Sequence, residues 1–134
     1  MLVVAKWCDL KAAESCQNGM LILAEMAHDV RIVPIIAQTP LDPSVRQWNG
    51  SARGHFEGDT LVVESTNFSK NSEFRGVTQE GMKMIEKFTR VNPTTLNYSV
   101  TIVDPATYTE PWSVMIPLNA KSEQIFEYAC HEGN

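Results

Sequence analysis

The chain has 134 residues, 43% of them hydrophobic and 20% charged, which is the make-up of one globular domain and not of a disordered segment. Sixteen Asp+Glu against eleven Lys+Arg leave −5 at pH 7, and no basic cluster exists to hold nucleic acid. The longest apolar region, Met20–Ala37, is broken by Glu25, His28, Asp29 and Arg31, so no membrane-spanning helix is expected.

Lys6–Ser15 is the best helix candidate, with Trp7, Leu10 and Ala13–Glu14 three to four apart and a stop at Gln17-Asn18-Gly19. Met20–Ala27 and Val30–Ile36 are rich in Ile, Leu, Met and Val and predict buried strands, with a helix as the alternative for the first. Pro40, Pro43, Asn49 and Gly50 mark a loop. Arg53–Glu57 and Thr60–Asn67 flank Gly58-Asp59, a hairpin turn that needs φ > 0 at the glycine. That register sets Phe56 opposite Leu61, Gly54 opposite Val63 and His55 opposite Val62. It also sets Arg53 opposite Glu64 as a cross-strand ion pair.

Phe68–Met82 is polar, carries Gly76 and Gly81, and predicts a long loop in which a helical turn is left open. Met84–Val91, Leu96–Asp104, Pro111–Asn119 and Gln124–His131 follow as four strands between turn residues. The expected fold is mainly β: residues 1–134 form a single domain, a small antiparallel barrel of about eight strands, lipocalin-like, behind a short N-terminal helix. An open curved sheet is the alternative. Cys8, Cys16 and Cys130 show no CxxC spacing and are expected as buried thiols, with a Cys8–Cys16 bridge left open for an exported chain.

Three stretches carry a family resemblance: RGHFEGDTLVVESTNF (Arg53–Phe68), FTRVNPTTLNYSVTIVDPATYTEPW (Phe88–Trp112) and EYACHEGN (Glu127–Asn134). From about Arg46 onward the chain resembles an uncharacterised bacterial protein family marked by these motifs. Its members often carry an export signal and continue past HEGN. The resemblance implies a β-rich domain and transfers no catalytic residue. Met1–Ala5 is too short for a signal peptide, so this chain as written is expected in the cytoplasm, whatever the location of its relatives.

Alternation sorts the later strands into faces. Leu96, Tyr98, Val100 and Ile102 form one apolar row, and Trp112, Val114, Ile116 and Leu118 another. A three-residue connection at Asn92-Pro93-Thr94 sets Arg90 opposite Leu96 and turns Met84, Glu86, Phe88 and Arg90 inward; a two- or four-residue loop reverses them. An even turn within Ala120–Glu123 turns Glu127 and His131 inward, and an odd one turns Phe126, Tyr128 and Cys130 inward instead.

An interior holding Glu86, Arg90, Glu127 and His131 must either pair its charges tightly or open them to a wet pocket. The functional expectation is a cofactor-independent acid/base enzyme, an isomerase, cyclase or lyase, acting on a small hydrophobic molecule. His131 is its general acid or base, Glu127 or Glu86 the partner, and Arg90 the stabiliser of negative charge. Tyr98, Trp112 and Phe88 wall the substrate. A non-catalytic ligand-binding barrel is the alternative, and an aromatic interaction face the third. Glu86 with Arg90 as a structural ion pair is the bland counterpart of the catalytic assignment. No metal is expected, since His28, His55 and His131 lack ligand spacing. No GxSxG, GxGxxG or GxxxxGK[ST] motif occurs. A homo-oligomer stays open.

Overall fold

The computed structural model describes residues 3–7, 19–24, 29–35, 39–74 and 77–122. Within them the protein is all β. Strands β1 (Val3–Trp7), β2 (Gly19–Ala24) and β3 (Asp29–Pro34) form an antiparallel three-stranded sheet. Strands β4 (Ser51–Glu57), β5 (Thr60–Thr66), β8 (Lys83–Asn92), β9 (Thr95–Val103) and β10 (Trp112–Asn119) form a five-stranded antiparallel sheet in the order β10-β9-β8-β5-β4. A two-stranded ribbon, β6 (Glu73–Phe74) and β7 (Val77–Thr78), occupies the stretch expected as loop.

Two expectations are corrected. Lys6 and Trp7, the start of the expected helix, lie in β1 opposite Leu21 and Met20; the rest of Lys6–Ser15 falls outside the described residues. Pairing with an apolar strand outweighed a short and weakly periodic helical pattern. No closed barrel forms among the described residues either, because β3 and β4 are not hydrogen-bonded neighbours and the larger sheet ends at β4 and β10. The strand expected over Gln124–His131 lies outside the described residues, as do all three cysteines.

The registers match the alternation. Gly54 sits opposite Val63, Phe56 opposite Leu61, and His55 opposite Val62. Gly58 has φ 57° and Asp59 does not share its positive φ, so the turn is of the II′ kind. At the β8–β9 hairpin Arg90 does sit opposite Leu96, by a route the sequence does not announce. Asn92 pairs with Thr95 across a two-residue turn, and a bulge between Arg90 and Asn92 restores the parity that this short turn would have reversed. The Asn92 side chain accepts hydrogen bonds from the Thr94 amide and hydroxyl and closes the turn.

The two larger sheets meet through one core. Met20, Ile22 and Val33 from the smaller sheet pack with Leu61, Val63 and Phe88 from the larger. Gly54 lies where they come closest, since a Cβ there would sit 2.9 Å from Val33 Cγ1 and 2.8 Å from Ile35 Cδ1. A second cluster, Phe68, Met82 and Ile102, supports the far end of the larger sheet.

Candidate functional site

Glu86, a residue the sequence reading placed inward as a partner in proton transfer, lies on the core face between Val63 and Val100 and is 1% exposed. Its carboxylate is not open to a pocket. Arg31, reaching across from β3, donates from both terminal nitrogens, 2.6 Å to Oε2 and 2.8 Å to Oε1. The Tyr98 hydroxyl donates a third bond to Oε1 at 2.8 Å. Burial works against the charge of Arg31, but the hydrogen bonds and charge of Glu86 outweigh it and hold the guanidinium above its ordinary pKa. Burial first, then the Glu86 charge, push the Tyr98 phenol far above its usual range. The three side chains form a closed ionic clamp between the sheets.

Of the other expected site residues that are described, Arg90 and Trp112 do not reach it. Arg90 is exposed towards the turn end of β8, and the partner of Glu86 is Arg31 instead. Phe88 is buried in the core with its ring 4.9 Å from that of Tyr98. Trp112 stands elsewhere, 40% exposed opposite Ile102, and packs edge-on against Tyr108 at 5.7 Å. Glu127 and His131 lie outside the described residues, as does His28. His55 is exposed beside Glu57; its ring and then Lys87 hold that carboxyl below the usual range. Among the described residues no cluster of His, Cys, Asp and Glu is arranged to hold a metal ion, and no helix is long and apolar enough to cross a membrane.

Among the described residues an open groove of about 510 Å³ lies where β3 passes β4. The two segments meet where Asn49 Nδ2 donates to Asp29 Oδ2 at 2.7 Å and where Val33 and Ile35 approach Gly54. Between those contacts Val30, Ile32 and Pro34 face Ser51, Ala52 and Arg53, with Leu41, Gln47 and Trp48 completing the wall. Trp48 is 65% exposed and Ile32 72%. Large side chains left this open are costly on a surface and mark contact sites when grouped.

Local chemistry explains why Trp48 is presented there. It occupies the second position of a turn in which the Gly50 amide donates to the Gln47 carbonyl at 3.2 Å. Gly50 has φ 69°, and a Cβ would lie 2.7 Å from the Thr66 carbonyl oxygen and 2.9 Å from Phe68 Cζ. On one side Gln47 is bridged to the Asn67–Ser69 backbone by bonds of 3.0 and 2.8 Å. Asn49 is tied to Asp29 on the other. Asn67, at φ 58°, donates from Nδ2 to the carbonyls of Asp42 and Val45 at 3.1 and 3.2 Å, which fastens the preceding loop. The Asn67-Phe68 pair that closes the first motif is thus scaffolding for the turn that carries Trp48.

Arg53 departs from its expected role. It does stand opposite Glu64, but the Glu64 carboxylate is taken by Lys83 at 3.0 Å, and Arg53 has no ion-pair partner among the described residues. Arg31, Trp48 and Arg53 are the residues sequence reasoning missed. Arg31 had a readable signal, since it alternates with Val33 and Ile35 on one face of an apolar strand. Trp48 and Arg53 had none, because their placement depends on how β3 crosses β4. No family model matches the chain, and neither does any curated protein or solved structure.

Proposed function

We propose that the protein binds a small, partly apolar molecule without transforming it, in the groove between β3 and β4. The observation that carries this reading is the exposed Trp48, held by a turn anchored at Gln47, Asn49 and Gly50 over an open groove of about 510 Å³. A pre-ordered aromatic wall loses little freedom when a ligand stacks on it, so its contact area converts efficiently into affinity. The barrel-interior site is less favoured, because Val33, Val63, Phe88 and the Glu86 clamp fill the space between the sheets. Glu86 is less favoured as a partner in proton transfer, since a carboxylate holding three hydrogen bonds, two of them from a guanidinium, is a poor proton carrier. We further propose membership in the bacterial family of the RGxxEGDTLVVExTNF motif, supported by the scaffolding role of its Gly54, Asn67 and Phe68.

Titration of the isotopically labelled protein with N-phenyl-1-naphthylamine, an uncharged aromatic probe, tests the site. Amide shifts should gather on residues 30–34, 39–41 and 47–53 and vanish in Trp48→Ala. Shifts spread over the core, or none at all, would overturn the groove as the binding site.

A further inference from the structure

The charged side chains along the groove are all of one sign. In a chain of net charge −5, the charged residues lining it are Arg31 and Arg53, with no acidic residue between them. Arg31 is neutralised from behind by Glu86, so its charge is spent inside the core. Asp29, at the start of β3, is not part of the lining, and its carboxylate is engaged by the Asn49 amide. Arg53 is different. It is half-buried on β4, its cross-strand neighbour Glu64 is bound to Lys83, and no anion among the described residues meets its guanidinium.

We infer that the groove selects an anionic amphipathic ligand: a molecule with a flat apolar body and one carboxylate, sulfonate or phosphate group. The inference rests on the groove being the binding site. In that arrangement the body stacks on Trp48 and lies along Val30 and Ile32, while the anionic group accepts hydrogen bonds from Arg53. A planar guanidinium can meet a carboxylate or phosphate through two parallel N–H donors, so the pairing fixes orientation as well as strength. The half-buried setting reduces screening and makes the bond worth more than a fully exposed one.

Two fluorescent probes with the same ring system separate body from charge: N-phenyl-1-naphthylamine is neutral, and 1-anilinonaphthalene-8-sulfonate carries one sulfonate. The folded wild-type protein should bind the sulfonate at least about tenfold more tightly, the size of a charge-assisted hydrogen bond. Arg53→Gln should remove that preference, weakening the sulfonate far more than the neutral probe; Arg53→Lys should keep a good part of it, and Trp48→Ala should weaken both. Rising NaCl should erode only the sulfonate advantage, a check that needs no variant. Equal affinities in the wild type, or a preference that survives Arg53→Gln, would overturn anion selection while leaving the groove standing. Binding of neither probe, or binding of both untouched by Trp48→Ala, would remove the groove itself and this inference with it.

Discussion

Arg31 and Arg53 line one groove and meet opposite fates. Arg31 turns inward from β3, gives two hydrogen bonds to a buried glutamate, and joins the sheets. Arg53 belongs to β4, loses its natural cross-strand partner to a lysine, and meets no anion among the described residues. The difference is one of neighbours and not of residue type. A guanidinium matched by a carboxylate and a phenol in a dry core becomes part of the architecture, since any exchange of partner would strand a buried charge. The same group beside open water keeps its capacity to bind. A buried glutamate in a strand invites a catalytic interpretation from sequence; here Glu86 is held by Arg31 and Tyr98 in the core.

The largest effect should come from breaking the closed side of the comparison. Arg31→Ala leaves the Glu86 carboxylate buried with Tyr98 alone and should cost about 3–5 kcal/mol of unfolding free energy. The double variant Arg31→Met with Glu86→Leu should recover most of that loss, because paired apolar replacements leave no charge stranded. Denaturant melts of the three proteins measure both numbers. A single variant as stable as wild type would show that the clamp is not what joins the sheets.

Next in size is the turn that holds the open side in place. Gly50→Ala meets the left-handed backbone penalty together with a Cβ pressed on Thr66 O and Phe68, and should lose about 2–4 kcal/mol. Gly58 shares the positive φ but faces empty space, so Gly58→Ala should lose only about 1–2 kcal/mol. Thermal melts in which the two variants coincide would mean that the packing beneath Trp48 carries no cost, and that the turn is less firmly held than its hydrogen bonds indicate.

Much of the larger sheet was legible from residues alone. Period-two alternation and the Gly58-Asp59 turn predicted the β4–β5 register residue by residue. The inward row of Met84, Glu86 and Phe88 on β8 hung instead on a turn length that alternation does not supply, and Arg90, expected with them, is exposed. The bulge after Arg90 was not legible, since turn length and bulge have opposing effects on parity and only their sum shows in the faces. The partner of Glu86 was hidden for another reason. Arg90 is four residues away on the same strand, whereas Arg31 is 55 residues distant and arrives only because β3 packs over the inner face. The groove is harder still, because a space between two strands that do not pair has no periodic signature in either of them.

The smallest expected effect tests the clamp at its third member and carries a pH signature. Tyr98→Phe keeps the ring against Phe88 but removes one hydrogen bond from a buried carboxylate, which should cost about 1–3 kcal/mol at neutral pH. The phenol is raised in the folded state by burial and by Glu86, while the unfolded chain titrates near the ordinary value of about 10. A group with its folded pKa raised contributes its full stability below the unfolded value and loses it as the pH climbs towards the folded one. Wild-type stability should therefore fall above pH of about 10 through this group, a loss that Tyr98→Phe does not share. The gap between the two proteins should be widest at neutral pH and narrow on the alkaline side. Equilibrium unfolding in urea at a series of pH values reads this directly. A gap that stays constant across the alkaline limb would mean that the Tyr98 proton is not held by Glu86 in the folded state.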